Sequence, residues 1–198
     1  MRQSIAIIGE GETEWFYFDS LRVSCRYPFK LAPDFPAHSD IDHLLKLSKA
    51  KLNEGYDYVV CLLDMDRLDH VPTEMRKYKS FRNRKDNKDI VFVETNPCTE
   101  FWFLLHFLPT LQVKHYESYE ELLPELQKYM PGYEKTKRYF VRMKLYDYLK
   151  QHGDIEAAMK NGDILSKMSE DNPQDKIAYS QVAKVLRLLE QIKMEQGR

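Results

Sequence analysis

Three short runs in this chain are apolar from end to end and rich in β-branched residues: SIAII at 4 to 8, DYVVCLLD at 57 to 64 and IVFVET at 90 to 95. A strand with one face in water alternates polar and apolar side chains, whereas a strand covered on both faces has no need to. Between the runs the apolar spacing becomes helical. After Gly9 and Gly11, residues Trp15, Phe18 and Leu21 recur about one turn apart. An extended piece is expected around 28 to 31. In SDIDHLLKLSKAKLNEG (39 to 55), Ser39 or Asp40 reads as the cap, Ile41, Leu44, Leu45, Leu47 and Leu52 as the apolar stripe, and Gly55 as the stop. Beyond Asn96-Pro97 the segment CTEFWFLLHF turns helical. Strands alternating with helices predict an α/β fold, a doubly wound and mainly parallel sheet flanked by helices. Past about residue 110 no such strand is expected, and 116 to 130, 137 to 151, 154 to 168 and 178 to 195 read as helices. The predicted organisation is an α/β core over 1 to 110 and a helical extension over 111 to 198 packed on it. A chain of 198 residues suits a single core.

Two of the apolar runs are followed at once by acids. Glu10, Glu12 and Glu14 come after the first, and Asp64 and Asp66 after the second. In a parallel sheet ligands gather at the carboxyl ends of the strands. If the two strands are neighbours, Glu10, Asp64 and Asp66 converge on one edge, where their repulsion raises pKa values unless a cation relieves it. A carboxylate-only donor set suits Mg²⁺ or Mn²⁺. Should the strand continue past Asp64, the alternation of DMD turns both aspartates to one side and Met65 to the other. Glu14 reads as a second ligand or as an acid favoured at a helix amino end. Glu12 is expected to face solvent. Glu100, after the third strand, is either a capping acid or a further ligand or orienting group. His106 is expected to be a structural hydrogen bonder.

The order apolar strand, EGETE, helix, second apolar strand and DMD resembles the Toprim domain of topoisomerases, bacterial primases and certain nucleases. GEGETEWFYF, DMD and NPCTEFWFLLHF together resemble more narrowly the RloB-like proteins, encoded beside bacterial restriction and modification genes. NPQDKIAYSQVAKVL is similar to that family's carboxyl-terminal NPxT helix, departing from it at Gln174-Asp175. Gly9 stands where a branched residue often precedes the Toprim glutamate. The resemblance implies that Glu10 is the Toprim glutamate, acting as general acid or base or as an added ligand, and that Asp64 and Asp66 are the metal pair. It also implies phosphodiester chemistry in a phage-defence setting, with further defence proteins as partners. The carboxylate site read from the residues agrees with what the resemblance implies, and the two together lead to the expectation of a Mg²⁺-dependent (or Mn²⁺-dependent) nuclease with Glu10, Asp64 and Asp66 catalytic. Two other readings stand beside it: a module that binds nucleic acid or a partner around a vestigial metal site, and a Toprim nucleotidyltransferase, although no primase zinc motif is present.

Charge does not decide the partner globally, since 30 basic side chains meet 31 acidic ones. Locally, RKYKSFRNRKDNK (76 to 88) holds seven basic residues against one Asp, with Tyr78 and Phe81 interleaved. Arg76, Lys77, Lys79, Arg82, Arg84 and Lys85 are the expected phosphate contacts to DNA or RNA, the aromatics offering faces for base stacking. Lys135, Lys137, Arg138, Arg142 and Lys144 extend that track or belong to an ordinary amphipathic helix. Three cysteines without CxxC spacing disfavour a disulfide framework and a zinc knuckle. No Walker A motif or GxSxG elbow appears. The absence of a signal-like or spanning apolar segment leads to the expectation of a cytoplasmic protein without membrane contact.

Overall fold

A computed structural model describes residues 4 to 32 and 40 to 196. Four strands, β1 (Ile5–Ile8), β2 (Lys30–Ala32), β3 (Tyr58–Asp64) and β4 (Ile90–Asn96), run parallel, and a fifth, β5 (Tyr179–Ser180), lies antiparallel. The order across the sheet is β2-β1-β3-β4-β5. The apolar runs occupy the centre, and Ala6, Ile8, Val59, Val60 and Cys61 are fully buried. The mainly parallel α/β fold expected from those runs is the observed one. Ser39 falls outside the described residues, and Asp40 is the cap of the second helix, accepting from the His43 N–H at 2.8 Å.

Helices α1 (Glu12–Cys25), α2 (Ile41–Asn53), α3 (Met65–His70) and α4 (Pro72–Arg82) connect the parallel strands, and α5 (Glu100–Leu105) follows β4. Parallel crossovers are right-handed. That rule puts α1 on one face and α2 with α4 on the other, and α2 and α4 do touch. The remaining helices are α6 (Tyr119–Leu126), α7 (Lys137–Met143), α8 (Leu145–His152), α9 (Ile155–Asp171) and α10 (Val182–Gln196). Both α7 and α8 rest on α1, and α6 and α9 on α5. Tyr17 on α1 accepts a hydrogen bond from the Trp102 indole at 2.8 Å. The two halves of the chain share one continuous apolar cluster.

One feature differs from the sequence expectation. The second half is not wholly helical: Tyr179 and Ser180 add β5 to the sheet edge, opposite Asn96 and Thr95. Two residues are too few to show a period. The basic run 76 to 82 belongs to a regular helix, α4, of whose residues Tyr78 alone is fully buried.

Candidate active site

The carboxyl edge of the sheet carries the acids. β1 and β3 are neighbours with Ile8 opposite Cys61, so the turns after them lie side by side. Glu10 accepts a hydrogen bond from the Asp64 N–H at 3.1 Å. Gly9 lets α1 close over this turn: a Cβ there would lie 2.6 Å from the Glu14 Cβ. Glu14 bends back to accept the Gly11 N–H at 2.9 Å, covering one of the amide donors that open a helix. Its carboxylate is 4% exposed and belongs to the interior side of the cluster. Glu12, at the start of the same helix, is half-buried.

Asp64 is the residue on which the loops converge. Its Oδ1 accepts from the Thr95 hydroxyl at 2.8 Å, the Thr99 N–H at 2.9 Å and the Thr99 hydroxyl at 3.1 Å. Register explains the first of these, because Thr95 is Asp64's partner across β3 and β4. The backbone does not stay extended past Asp64, which holds the N-cap position of α3 without a side-chain capping bond. Asp66 therefore lies in a helical first turn, where its N–H donates to the Pro97 carbonyl at 3.0 Å. The expected alternation of DMD is corrected here. A strand repeats every two residues and a helix every 3.6, so Asp64 enters the carboxylate cluster while Asp66 lines a neighbouring cleft.

Glu100 is wholly buried, which distinguishes it from an ordinary capping acid. Its Oε1 accepts from the Tyr133 hydroxyl at 2.8 Å and the Thr13 hydroxyl at 3.1 Å. Its Oε2 lies 3.1 Å from the Lys135 ammonium but receives no directed hydrogen bond, so that contact is one of charge alone. His106, on the far side of α5, has Nδ1 2.9 Å from the Trp102 carbonyl, the structural role expected of it.

Electrostatics follow from this burial. Burial and then the neighbouring Glu14 push the Glu10 carboxyl up to about 8, against the opposing Asp64 N–H. Burial followed by Glu100 raises Glu14. Asp64 stands well above the usual carboxylate range through burial and then Glu14, Glu10 and Glu100, with Lys135 opposing. Asp66 is raised chiefly by burial.

Oxygen-only carboxylates are the donors that Mg²⁺ and Mn²⁺ take, and Glu100 Oε2 is a buried acceptor without a donor. The residues fit such an ion in their chemistry. Among the described residues, however, no three His, Cys, Asp or Glu side chains are set around one point as metal ligands. Asp64 Oδ1 is committed to threonines and Glu14 to its own helix end, while Lys135 supplies positive charge.

A cleft of about 310 Å³ opens beside the cluster, lined by Asp66, Asp69, His70, Asn96, His115 and Lys176 among others. It brings the DMD, NPCTE and NPQDK segments together, and Asn96 Nδ2 donates to the Ile177 carbonyl at 2.9 Å. Isolated histidines such as His70 and His115 carry no spacing signal, so sequence reasoning does not reach them. Tyr133, Thr13, Thr95 and Thr99 are missed for the same reason, although Thr95 and Thr99 do flank the NPC turn; Lys135 is expected as a nucleic-acid contact or as part of an amphipathic helix, not as the partner of Glu100.

The basic run divides. Arg82 reaches the buried Glu94 at 2.6 Å, beside the Tyr78 and Tyr179 hydroxyls that also donate to that carboxylate. Lys77 pairs with Asp42, and Arg84 with Asp86 at 3.4 Å. Arg76, Lys79 and Lys85 are exposed and make no ion pair among the described residues. Arg84 and Lys85 precede β4 at the amino edge of the sheet, about 17 Å of strand from the Asp64 end. No helix of the described residues is long and apolar enough to cross a membrane. The cysteines Cys25, Cys61 and Cys98 are unbridged.

No curated protein and no solved structure matches the chain. A family model described as RloB-like protein matches residues 5–192, nearly the whole length and all four motif blocks. The chain belongs to the RloB-like family.

Proposed function

We propose that this protein is a Mg²⁺-dependent or Mn²⁺-dependent phosphodiester hydrolase of Toprim type, a nuclease acting on DNA or RNA in phage defence linked to restriction and modification. The observation that carries the reading is the meeting of Glu10 and Asp64 at the carboxyl ends of adjoining parallel strands, joined through the Asp64 N–H. Glu14 and Glu100 are buried beside them, and Asp66 lines the neighbouring cleft. Glu10 and Asp64 would hold the ion and Glu100 would support them; Asp66 and Glu14 would join as ligands only by turning from the cleft and from the helix end that they now occupy. A bound divalent ion supplies activation of water and neutralises charge on the phosphate and leaving oxygen.

The chain's own groups do the rest. Thr95 and Thr99 fix one oxygen of Asp64 and leave the other to bind. In the ion-free site Glu10 is raised to about 8, within reach of general acid or base work near neutral pH; a bound ion would lower it and make Glu10 a ligand instead. The exposed Arg76 and Lys79 on α4 are the members of the basic run best placed for nucleic-acid backbone; Lys85 serves only a longer track. Lys77, Arg82 and Arg84 would first have to give up their internal partners.

A binding module without turnover is favoured by one observation, the ion pair that Lys135 makes with the buried Glu100. A panel of single- and double-stranded DNA and RNA, incubated in Mg²⁺ and Mn²⁺, separates the two. Cleavage abolished by Glu10→Gln and Asp64→Asn, both remaining folded, is the expected result. Binding that survives both substitutions, with no product from any substrate, would overturn the hydrolase.

A further inference from the structure

Lys135 lies in the turn between α6 and α7, one residue before Thr136, whose hydroxyl caps α7. Its side chain is 38% exposed, yet the ammonium reaches a carboxylate that is wholly buried, 3.1 Å from Glu100 Oε2. The ring of Tyr119 lies 4.0 Å beneath it, adding an aromatic face to its seat. Its charge is also felt by Glu14, Asp64 and Asp66. One lysine therefore offsets carboxylates drawn from the turns after β1, β3 and β4.

The two partners are anchored very differently. Glu100 sits at the start of α5, among fully buried neighbours from Phe101 to Leu104, and its other oxygen is held by Tyr133 and Thr13. The lysine stem is flexible and touches solvent along part of its length. The ammonium makes no directed hydrogen bond to Oε2, so rotating it outward breaks a contact of charge and leaves the rest of the site in place.

We propose that Lys135 is the exchangeable counter-cation of this cluster: its ammonium and a divalent ion exclude one another, and the ion enters as the lysine swings out to solvent. This rests on the metal-dependent reading above and adds to it a competitor built into the chain. It also accounts for a donor set that suits Mg²⁺ in chemistry while its members are turned toward other partners.

The test is Mn²⁺ binding by calorimetry, on the full-length wild-type protein, Lys135→Met and Lys135→Arg. Removing a competing charge a few ångströms away should tighten Mn²⁺ binding about tenfold or more in Lys135→Met. Lys135→Arg keeps the charge, and its affinity should stay at or below that of the wild type. A merely structural lysine would lower folding stability without tightening the ion. A second measurement needs no variant: amine-reactive labelling of the wild-type protein, read residue by residue by mass spectrometry, should modify Lys135 slowly in chelator and faster in saturating Mn²⁺. Equal or weaker Mn²⁺ binding in Lys135→Met, or labelling indifferent to bound Mn²⁺, overturns the exclusion and leaves the metal site standing. Failure of all three proteins to bind Mn²⁺ overturns the metal site and the exclusion with it.

Discussion

Glu10→Gln should make the metal-free protein more stable, an unusual direction for a change at a residue proposed to be catalytic. Glu10 ionises near 4.5 in an unfolded chain and near 8 in the fold, held up first by burial and then by Glu14. A carboxyl raised in this way contributes fully below the unfolded value, and that contribution is lost as pH rises through the folded one. The wild type therefore loses stability between about pH 4.5 and 8, at about 1.4 kcal/mol per decade. Over that interval the full loss is about 4–5 kcal/mol, and solvent reaching the half-buried side chain reduces the expected effect to about 1–2 kcal/mol. Gln keeps an oxygen to accept the Asp64 N–H and carries no charge. For a chain of this size the gain corresponds to about 3–6 °C in Tm. The assay is thermal unfolding of both proteins in chelator at pH 5 and pH 8, then at pH 8 with Mg²⁺. The variant should lead by little at pH 5 and by the full amount at pH 8. Mg²⁺ should close the gap and reverse it by stabilising the wild type alone, by about 2.7 kcal/mol at a hundredfold excess over Kd. A variant less stable than the wild type in chelator at pH 8, or a gap equal at both pH values, would refute the reasoning.

Other expectations concern the support of the site. Gly9→Ala places a Cβ 2.6 Å from the Glu14 Cβ, so chemical denaturation should show a loss of about 1–3 kcal/mol; an unchanged midpoint would contradict the close approach. His106 is 2% exposed with Nε2 unpartnered, and burial lowers it from 6.5 to about 4. Its stabilising share is present above pH 6.5 and is lost as pH falls toward 4, about 3 kcal/mol in all; His106→Phe should flatten that acid limb of the stability profile. Arg82→Ala leaves Glu94 buried with only tyrosine donors and, Arg82 itself being nearly half exposed, should lower stability by about 1–2 kcal/mol. Arg76→Ala and Lys79→Ala should leave stability unchanged, and each should reduce the salt dependence of nucleic-acid binding by about one ion. The reverse pattern would move the nucleic-acid track off α4.

The parallel sheet was legible because strands covered on both faces must be apolar throughout, and Ile5–Ile8 and Val59–Leu63 meet that condition. The acids at the carboxyl edge were legible for a related reason: a buried strand ends where a charge becomes tolerable. Hidden from view was how the backbone continues beyond that charge. Asp64 ends an extended segment and holds the N-cap position of a helix in one step, and that change of period separates it from Asp66. Glu100 was ambiguous because its burial depends on Tyr133 and Thr13, which are distant in sequence. Lys135 sits among other bases in an amphipathic stretch, and only the packing of the α6 to α7 turn onto the site sets it apart. In the basic run, composition revealed charge but not the acids that already answer it, Asp42, Asp86 and Glu94.

The central claim is that the carboxyl edge of this sheet is a metal site, and a crystal soaked in Mn²⁺ tests it most directly through the anomalous signal of the ion. The account predicts a peak bonded to carboxylate oxygens of Glu10 and Asp64, with Lys135 turned away from Glu100. Saturating Mn²⁺ with no peak at that edge, and Lys135 still on Glu100, would contradict it.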